Sequence, residues 1–341
     1  MRKNKKIIVM LMAIMLVASL FGGCGKKQTA STNNMIEVQD QLGRKVKIKN
    51  NPQKIVSSYY IATSILLGLD GKDKLVAIEG KTKKRELYKK VDEKLLKLSA
   101  VGSGKEINVE ECTKLKPDVV IIPTRLKKFI PQFEKLNIPV LAVQPETPES
   151  FNECVKLLGK VLGKEEKSNE LLKYQEDILK DIKQKNQNDK NKPRIYLAGS
   201  NNILRTCTSK MYQNYMIDAV GGENVTKDLK DGYWANISVE QLIKYNPQVI
   251  YIVSYAKYKV EDVLKDSRLK GIDAVKNKKV YMFPGKFEAW DFPIPSSILG
   301  MLWMENNLHE DRVSKDELNK KIKEFYKKFY NIDISTKELG V

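Results

Sequence analysis

The sequence predicts an α/β protein of two similar lobes with mostly parallel sheets, joined by a single long rigid helix, with a cleft between the lobes. Three observations predict it. First, "NVEECTKLKPDVVII" from Asn108 and "SVEQLIKYNPQVIYI" from Ser238 align without a gap, 130 positions apart. Second, short β-branched runs alternate with helical stretches in both halves of the chain, the pattern of parallel strands with helical crossovers. Third, the charged stretch "KEEKSNELLKYQEDILKDIKQKNQ" runs without Gly or Pro between the two halves, as a spacer helix would.

The chain opens with basic "MRKNKK" and an apolar run from Ile7 to Phe21, followed by Gly22 and Gly23. The run is shorter than the roughly 20 residues of a membrane-spanning helix, so residues 1–23 read as a secretory signal. "LFGGCG" resembles a bacterial lipobox, with Phe21 three places before the cysteine and Leu20 one place earlier. That resemblance implies lipidation of Cys24, with the polar residues 24–34 as a flexible tether. Roughly 300 residues follow, more than one core usually serves. "MIEVQDQLGRKVKIK" alternates around a Gly-containing turn and predicts a hairpin. The runs "KIVSS", "KLVAIEG", "DVVIIP" and "PVLAV" supply the strands of a first lobe over 35–162. The spacer helix occupies 163–190, and "PRIYLAG", "PQVIYIV" and "KKVYMFPG" repeat the strand set in a second lobe over 191–341. That lobe closes with helices beginning near Pro295 and Ser314.

Composition excludes several classes. The formal charge of +19 includes four cations of the leader, Arg2, Lys3, Lys5 and Lys6. The remaining lysines are dispersed over solvated helix faces such as "KKIKEFYKK", and an exported, tethered chain meets little nucleic acid, so no nucleic-acid partner is expected. Cys112, Cys154 and Cys207 show no metal-ligand spacing. Cys112 and Cys154 fall on apolar helix faces, which leaves two alternatives, buried thiols or a disulfide. The lone His309 excludes a multi-histidine site for bare metal and reads as a solvated cation at a helix C-terminus. No P-loop, dinucleotide glycine fingerprint, GxSxG elbow or HExxH occurs. No catalytic residue or resident cofactor is therefore assigned, and the protein is not expected to be an enzyme.

The repeat is chemically specific. Asn108 and Ser238 are N-cap residues, and Glu111 and Gln241 three places on predict capping boxes. Glu110 and Glu240 fall in the first turns, where the helix dipole favours a carboxylate. Pro117 and Pro247 end the helices and lead into strands. Each lobe thus carries one carboxylate in an equivalent place.

With these elements in order, the chain resembles the substrate-binding lipoproteins of ABC importers for iron chelates, haem and cobalamin. The resemblance runs from "VQDQLGRKVKIKNNPQKIVSS" through both capping motifs to "AVKNKKVYMFPGKFEAWDFPIPSSILGMLWMENNLH" and "EFYKKFYNIDI". It implies a monomeric receptor held by its lipid on the extracytoplasmic face of the cell membrane, working with a permease dimer and its ATPase. It further implies that Glu110 and Glu240 dock on permease arginines, and that a metal chelate sits in the interlobe cleft. The matching loops offer Tyr59, Tyr60, Lys105 and Arg125 from the first lobe, and Arg205, Tyr233, Trp234, Lys286 and Trp290 from the second. Iron siderophores are the expected cargo, with haem, cobalamin or an oxyanion such as molybdate or tungstate as alternatives on the same fold.

Overall fold

The computed structural model describes residues 35–81 and 85–341; the expected signal, Cys24 and tether lie outside the described residues. Strands β1 (Met35–Gln39) and β2 (Lys45–Lys49) form the antiparallel hairpin that their alternation predicts. The first large sheet takes β3 (Ile55–Ser57), β4 (Leu75–Ile78), β5 (Ser99–Ala100), β6 (Val119–Pro123) and β7 (Val140–Val143). They run in the order β5-β4-β3-β6-β7, all parallel. The second takes β8 (Arg194–Ala198), β9 (Arg205–Cys207), β10 (Glu223–Asn224), β11 (Trp234–Asn236), β12 (Val249–Ile252) and β13 (Val280–Met282). Its order is β11-β9-β8-β12-β13, with β10 also on β8; β9 pairs antiparallel with both β8 and β11, and the other pairings are parallel. The trio β3-β6-β7 has its counterpart in β8-β12-β13. Registers Ile55↔Val119 and Val120↔Val140 answer to Ile195↔Val249 and Ile250↔Val280.

Both faces of each sheet are buried, which is why the central strands are unbroken apolar runs. On β6, Val119 and Ile121 face one core and Val120 and Ile122 another; on β12, Val249 and Tyr251 face the first of these, and Ile250 and Ile252 a third. One core is therefore shared by both lobes, and each sheet has a smaller core of its own on its other face.

Helices α1 (Tyr60–Gly68), α2 (Val109–Lys114) and α3 (Pro148–Leu162) belong to the first sheet. α3 ends in a left-handed turn at Gly163, φ 64°, where glycine carries no Cβ penalty. The spacer helix α4 (Glu165–Asn186) then runs 22 residues, about 33 Å at the usual rise. It buries a stripe of Ser168, Leu171, Gln175, Ile178 and Ile182. α5 (Tyr212–Ala219), α6 (Val239–Tyr245), α7 (Ser297–Leu308) and α8 (Lys315–Tyr330) follow.

The chain's end differs from the expectation that everything beyond 191 stays with the second lobe. Tyr330 Oη donates to the Ser64 carbonyl at 3.5 Å, Lys90 pairs with Glu338 at 2.7 Å, and Tyr174 of α4 stacks on Phe329 at 5.4 Å. The cause is the apolar stripe Leu318, Ile322, Phe325 and Phe329 of α8, which is buried in the shared core. Met35–Val341 consequently forms one compact unit.

Two further expectations are resolved. Cys112, Cys154 and Cys207 are free and buried, with Cys112 in the first sheet's own core and Cys154 in the shared one, so the disulfide alternative falls away. His309 caps the C-terminus of α7 but is half-buried; burial and the neighbouring Arg312 hold its pKa below the ordinary value, so it is neutral and not the solvated cation expected. Among the described residues no helix is long and apolar enough to cross a membrane.

Candidate binding cleft

A cavity of about 510 Å³ opens between the lobes, lined from the loops that follow the strands of both sheets. Larger grooves exist, one of about 940 Å³ along α4. The interlobe cavity gathers aromatic rings and cations from the strand-following loops of both lobes, the usual composition of a small-molecule site.

From the first lobe, Tyr59 and Tyr60 open α1 immediately after β3, and Arg125 follows β6 on a short 3-10 turn. The Arg125 guanidinium lies 4.9 Å from the centroid of the Tyr59 ring, donates to the Gly104 carbonyl and pairs with Glu146 at 3.3 Å. Tyr59 Oη donates to the same Glu146 oxygen at 3.5 Å. Lys105 stands exposed beside them. From the second lobe come Lys210, Tyr212, Tyr233, Trp234, Tyr255 and Phe292. An aromatic chain crosses the cleft: Tyr60 meets Phe292 edge-on at 5.8 Å, and Phe292 meets Tyr255 at 5.3 Å. Such pairs favour a rigid wall. Tyr233 and Tyr255 remain 44% and 42% exposed, large apolar surface left for a ligand to cover.

Asp291 holds this wall together. Its carbonyl accepts from Gln213 at 2.8 Å and its carboxylate from Ser254 Oγ at 2.6 Å, so one residue ties down the segments that carry Phe292, Tyr212 and Tyr255. Burial pushes its carboxyl up to about 6. The tyrosine hydroxyls are pushed above their ordinary range, Tyr59 by burial and then Glu146, Tyr60 by burial and then Glu288, Tyr255 by burial and then Asp291. They are neutral hydrogen-bonding groups. A tyrosinate ligand for a metal would have to overcome that shift.

Six of the nine ligand candidates line the cavity: Tyr59, Tyr60, Lys105, Arg125, Tyr233 and Trp234. Three do not. Trp290 is fully buried and donates its indole N–H to Tyr326 Oη at 3.0 Å, a core residue beneath the cleft. Lys286 is exposed on the same loop but outside the cavity. Arg205 sits behind the wall, its guanidinium 5.8 Å from the Trp234 ring centroid. Trp234 is seated by Gly199, where a Cβ would come within 3.0 Å of the indole. The site residues missed include Glu146, Lys210, Tyr212, Tyr255 and Phe292. Tyr255 follows "PQVIYIV" as Arg125 follows "DVVIIP", so the repeat itself carried the signal. Among the described residues, no group of three His, Cys, Asp or Glu side chains is arranged to hold a metal ion.

The repeated helices are equivalent in detail. Asn108 Oδ1 and Ser238 Oγ accept from the amides of Glu111 and Gln241, both at 3.1 Å. Lys116 and Asn246, again 130 apart, both turn left-handed before the strand, φ 49° and 39°. Both capping boxes are only half made: the Asn108 amide donates to Val101 and Glu111 pairs with Lys114 instead, and the second box likewise has only the bond from the Gln241 amide to Ser238. Glu110 is exposed and also pairs with Lys114, at 2.9 Å. Glu240 is exposed, and hydrogen bonds from Ser238 and from its own amide hold its carboxyl below the usual range. Both carboxylates are accessible.

Two lobes around an open, aromatic-walled cleft define a solute-capturing protein. A family model for periplasmic binding proteins matches residues 55–286. The chain is 28% identical over 320 residues to the molybdate-binding protein MolA of Haemophilus influenzae, covering 86% of this chain and 90% of that one. The crystal structure of MolA bound to molybdate superposes with a TM-score of 0.78, over 88% of this chain and 99% of that one, at 25% identity. This chain is 25% identical to the Fe(3+)-citrate-binding protein YfmC of Bacillus subtilis, over 82% of this chain and 89% of that one. A periplasmic solute binding protein from Veillonella parvula superposes with a TM-score of 0.80 at 29% identity, over 90% of this chain and 96% of that one. The chain belongs to the periplasmic binding protein family, as the substrate-binding component of an ABC importer.

Proposed function

We propose that the protein captures an anionic metal chelate of the ferric-siderophore kind in the interlobe cleft and delivers it to a membrane permease dimer with its ATPase. The observation that carries the reading is the cavity of about 510 Å³ with an aromatic wall and the cations Lys105, Arg125 and Lys210. Rings accept the flat or apolar faces of a chelate, and the cations accept its peripheral anionic oxygens. In this reading Cys24 carries the lipid anchor on the extracytoplasmic face, and Glu110 and Glu240 dock on permease arginines, two pairs giving register that a single exposed pair would not.

The likeness to MolA favours a second reading, a tetrahedral oxyanion. Such an ion occupies only a few times the roughly 30 Å³ of a water molecule, and most of the aromatic wall would then have no ligand to cover. The raised tyrosine pKa values oppose a phenolate axial ligand for haem. Intrinsic-fluorescence titration with ferric citrate, a ferric hydroxamate, haem, cobalamin and molybdate separates these readings. Saturable quenching by a ferric chelate supports the proposal, and a response to molybdate alone replaces it.

A further inference from the structure

The carboxylate of Glu146 is out of place in a site built for anions. Among the described residues lining the cleft cavity it is the one carboxylate, set against Lys105, Arg125 and Lys210. It is also engaged: one oxygen takes both the Arg125 guanidinium at 3.3 Å and the Tyr59 hydroxyl at 3.5 Å. The cation best shaped for bidentate recognition of an anion is thus already occupied.

Its position is fixed by backbone on both sides. Glu146 directly precedes Thr147, the N-cap of α3, whose reciprocal capping box with Ser150 and following Pro148 lock the start of that helix. Arg125 is held by the Gly104 carbonyl, where there is no side chain; a Cβ on Gly104 would collide with the guanidinium. Both groups sit on the first lobe, so their pairing is independent of how the second lobe approaches. Glu146 has somewhere to go when displaced. It lies on the wall shared with a neighbouring groove of about 810 Å³, where Gln39, Gln41, Gln144 and Lys210 can receive it beside the acids Asp40 and Glu153. At 28% side-chain exposure the carboxylate is wet enough to rotate without stranding a charge.

We infer that Glu146 is a specificity-determining counter-ion, occupying Arg125 in the empty cleft and yielding it only to a ligand that presents a stronger, multiply charged anionic face. The inference rests on the anionic-ligand reading above. Neutral or cationic ligands gain nothing by displacing Glu146, and weakly held monoanions compete poorly with it. A chelate carrying several carboxylates exchanges one charge-assisted contact for two. The site therefore discriminates by charge as well as by shape, with Glu146 as the element set against the wrong partner.

The test is a set of dissociation constants for ferric citrate and for molybdate on wild type, Glu146→Gln, Arg125→Gln and the double variant, with melting temperatures as a check on folding. Glu146→Gln keeps size and hydrogen-bonding capacity and removes the competing charge. It is expected to tighten ferric citrate, or molybdate where that is the ligand bound, by about tenfold, the worth of one hydrogen bond to a charged group. In the Arg125→Gln background the same change is expected to shift binding less than about twofold, because the cation it occupied is gone. Wild-type binding that Glu146→Gln leaves unchanged or weakens overturns the inference and leaves the proposed function standing. An equal gain with and without Arg125 also overturns it, showing a general field effect. A wild-type protein and a Glu146→Gln variant that both bind neither anion overturn the anionic reading itself, and the inference with it.

Discussion

Replacing Glu288 with Gln should flatten the pH dependence of stability. Glu288 is buried between the lobes, where Oε1 accepts from Tyr330 Oη at 3.5 Å and Oε2 has no hydrogen-bond partner. Burial pushes its carboxyl from 4.5 up to about 7, against the opposing hydroxyls of Ser296 and Ser64 and the charge of Arg85. The folded state therefore holds a proton that the unfolded chain has released, over the window from about pH 4.5 to about pH 7. Within that window folding binds protons, so stability is highest at the acid end and is lost as pH rises. A shift of two to three units at about 1.36 kcal/mol each corresponds to about 3 kcal/mol. Urea unfolding at pH 5 and pH 8 measures it. Wild type should lose about 2.5 kcal/mol more than Glu288→Gln across that interval, the first half-unit of the window lying below pH 5. Asp291 contributes in the same direction in both proteins and cancels from the difference. Identical pH slopes for the two proteins would show that this carboxyl is not held neutral by burial.

Three further outcomes are expected. Changing Glu110 and Glu240 together to Ala should abolish uptake by cells while ligand affinity in solution stays within about twofold; normal uptake would remove the docking role, since exposed pairs carry register more than stability. Trp290→Ala should lower stability by about 3 to 5 kcal/mol, as for a buried aromatic. Trp234→Ala should instead weaken ligand binding at least about tenfold with little change in melting temperature, and the reverse pattern would exchange their places. Reducing agent should leave the melting temperature of the protein unchanged, because Cys112 and Cys154 are free thiols in separate cores.

The sheets were legible because strands buried on both faces leave continuous apolar runs, and "DVVII" and "QVIYI" could hardly be anything else. The helix starts were legible from Asn108 and Ser238, since capping is local chemistry. The reciprocal half of the first box was not, because a distant carbonyl, that of Val101, takes the Asn108 amide. Trp290 and Phe292 show the limit most plainly. They lie two residues apart in one loop, yet the first is sealed under α8 by Tyr326 and the second faces the cleft. Composition and loop context are the same for both, and only the long-range return of α8 decides between them. Glu146 escaped notice for a different reason. A search for groups that attract an anion passes over the carboxylate that competes with it.

Native mass spectrometry of the protein purified from its own cells, with elemental analysis of whatever it carries, tests the central claim most directly. The expected adduct contains a transition metal together with an organic chelator of net negative charge, and is lost from Trp234→Ala. An adduct of the mass of a bare oxyanion, or a neutral or cationic organic molecule without metal, would contradict it.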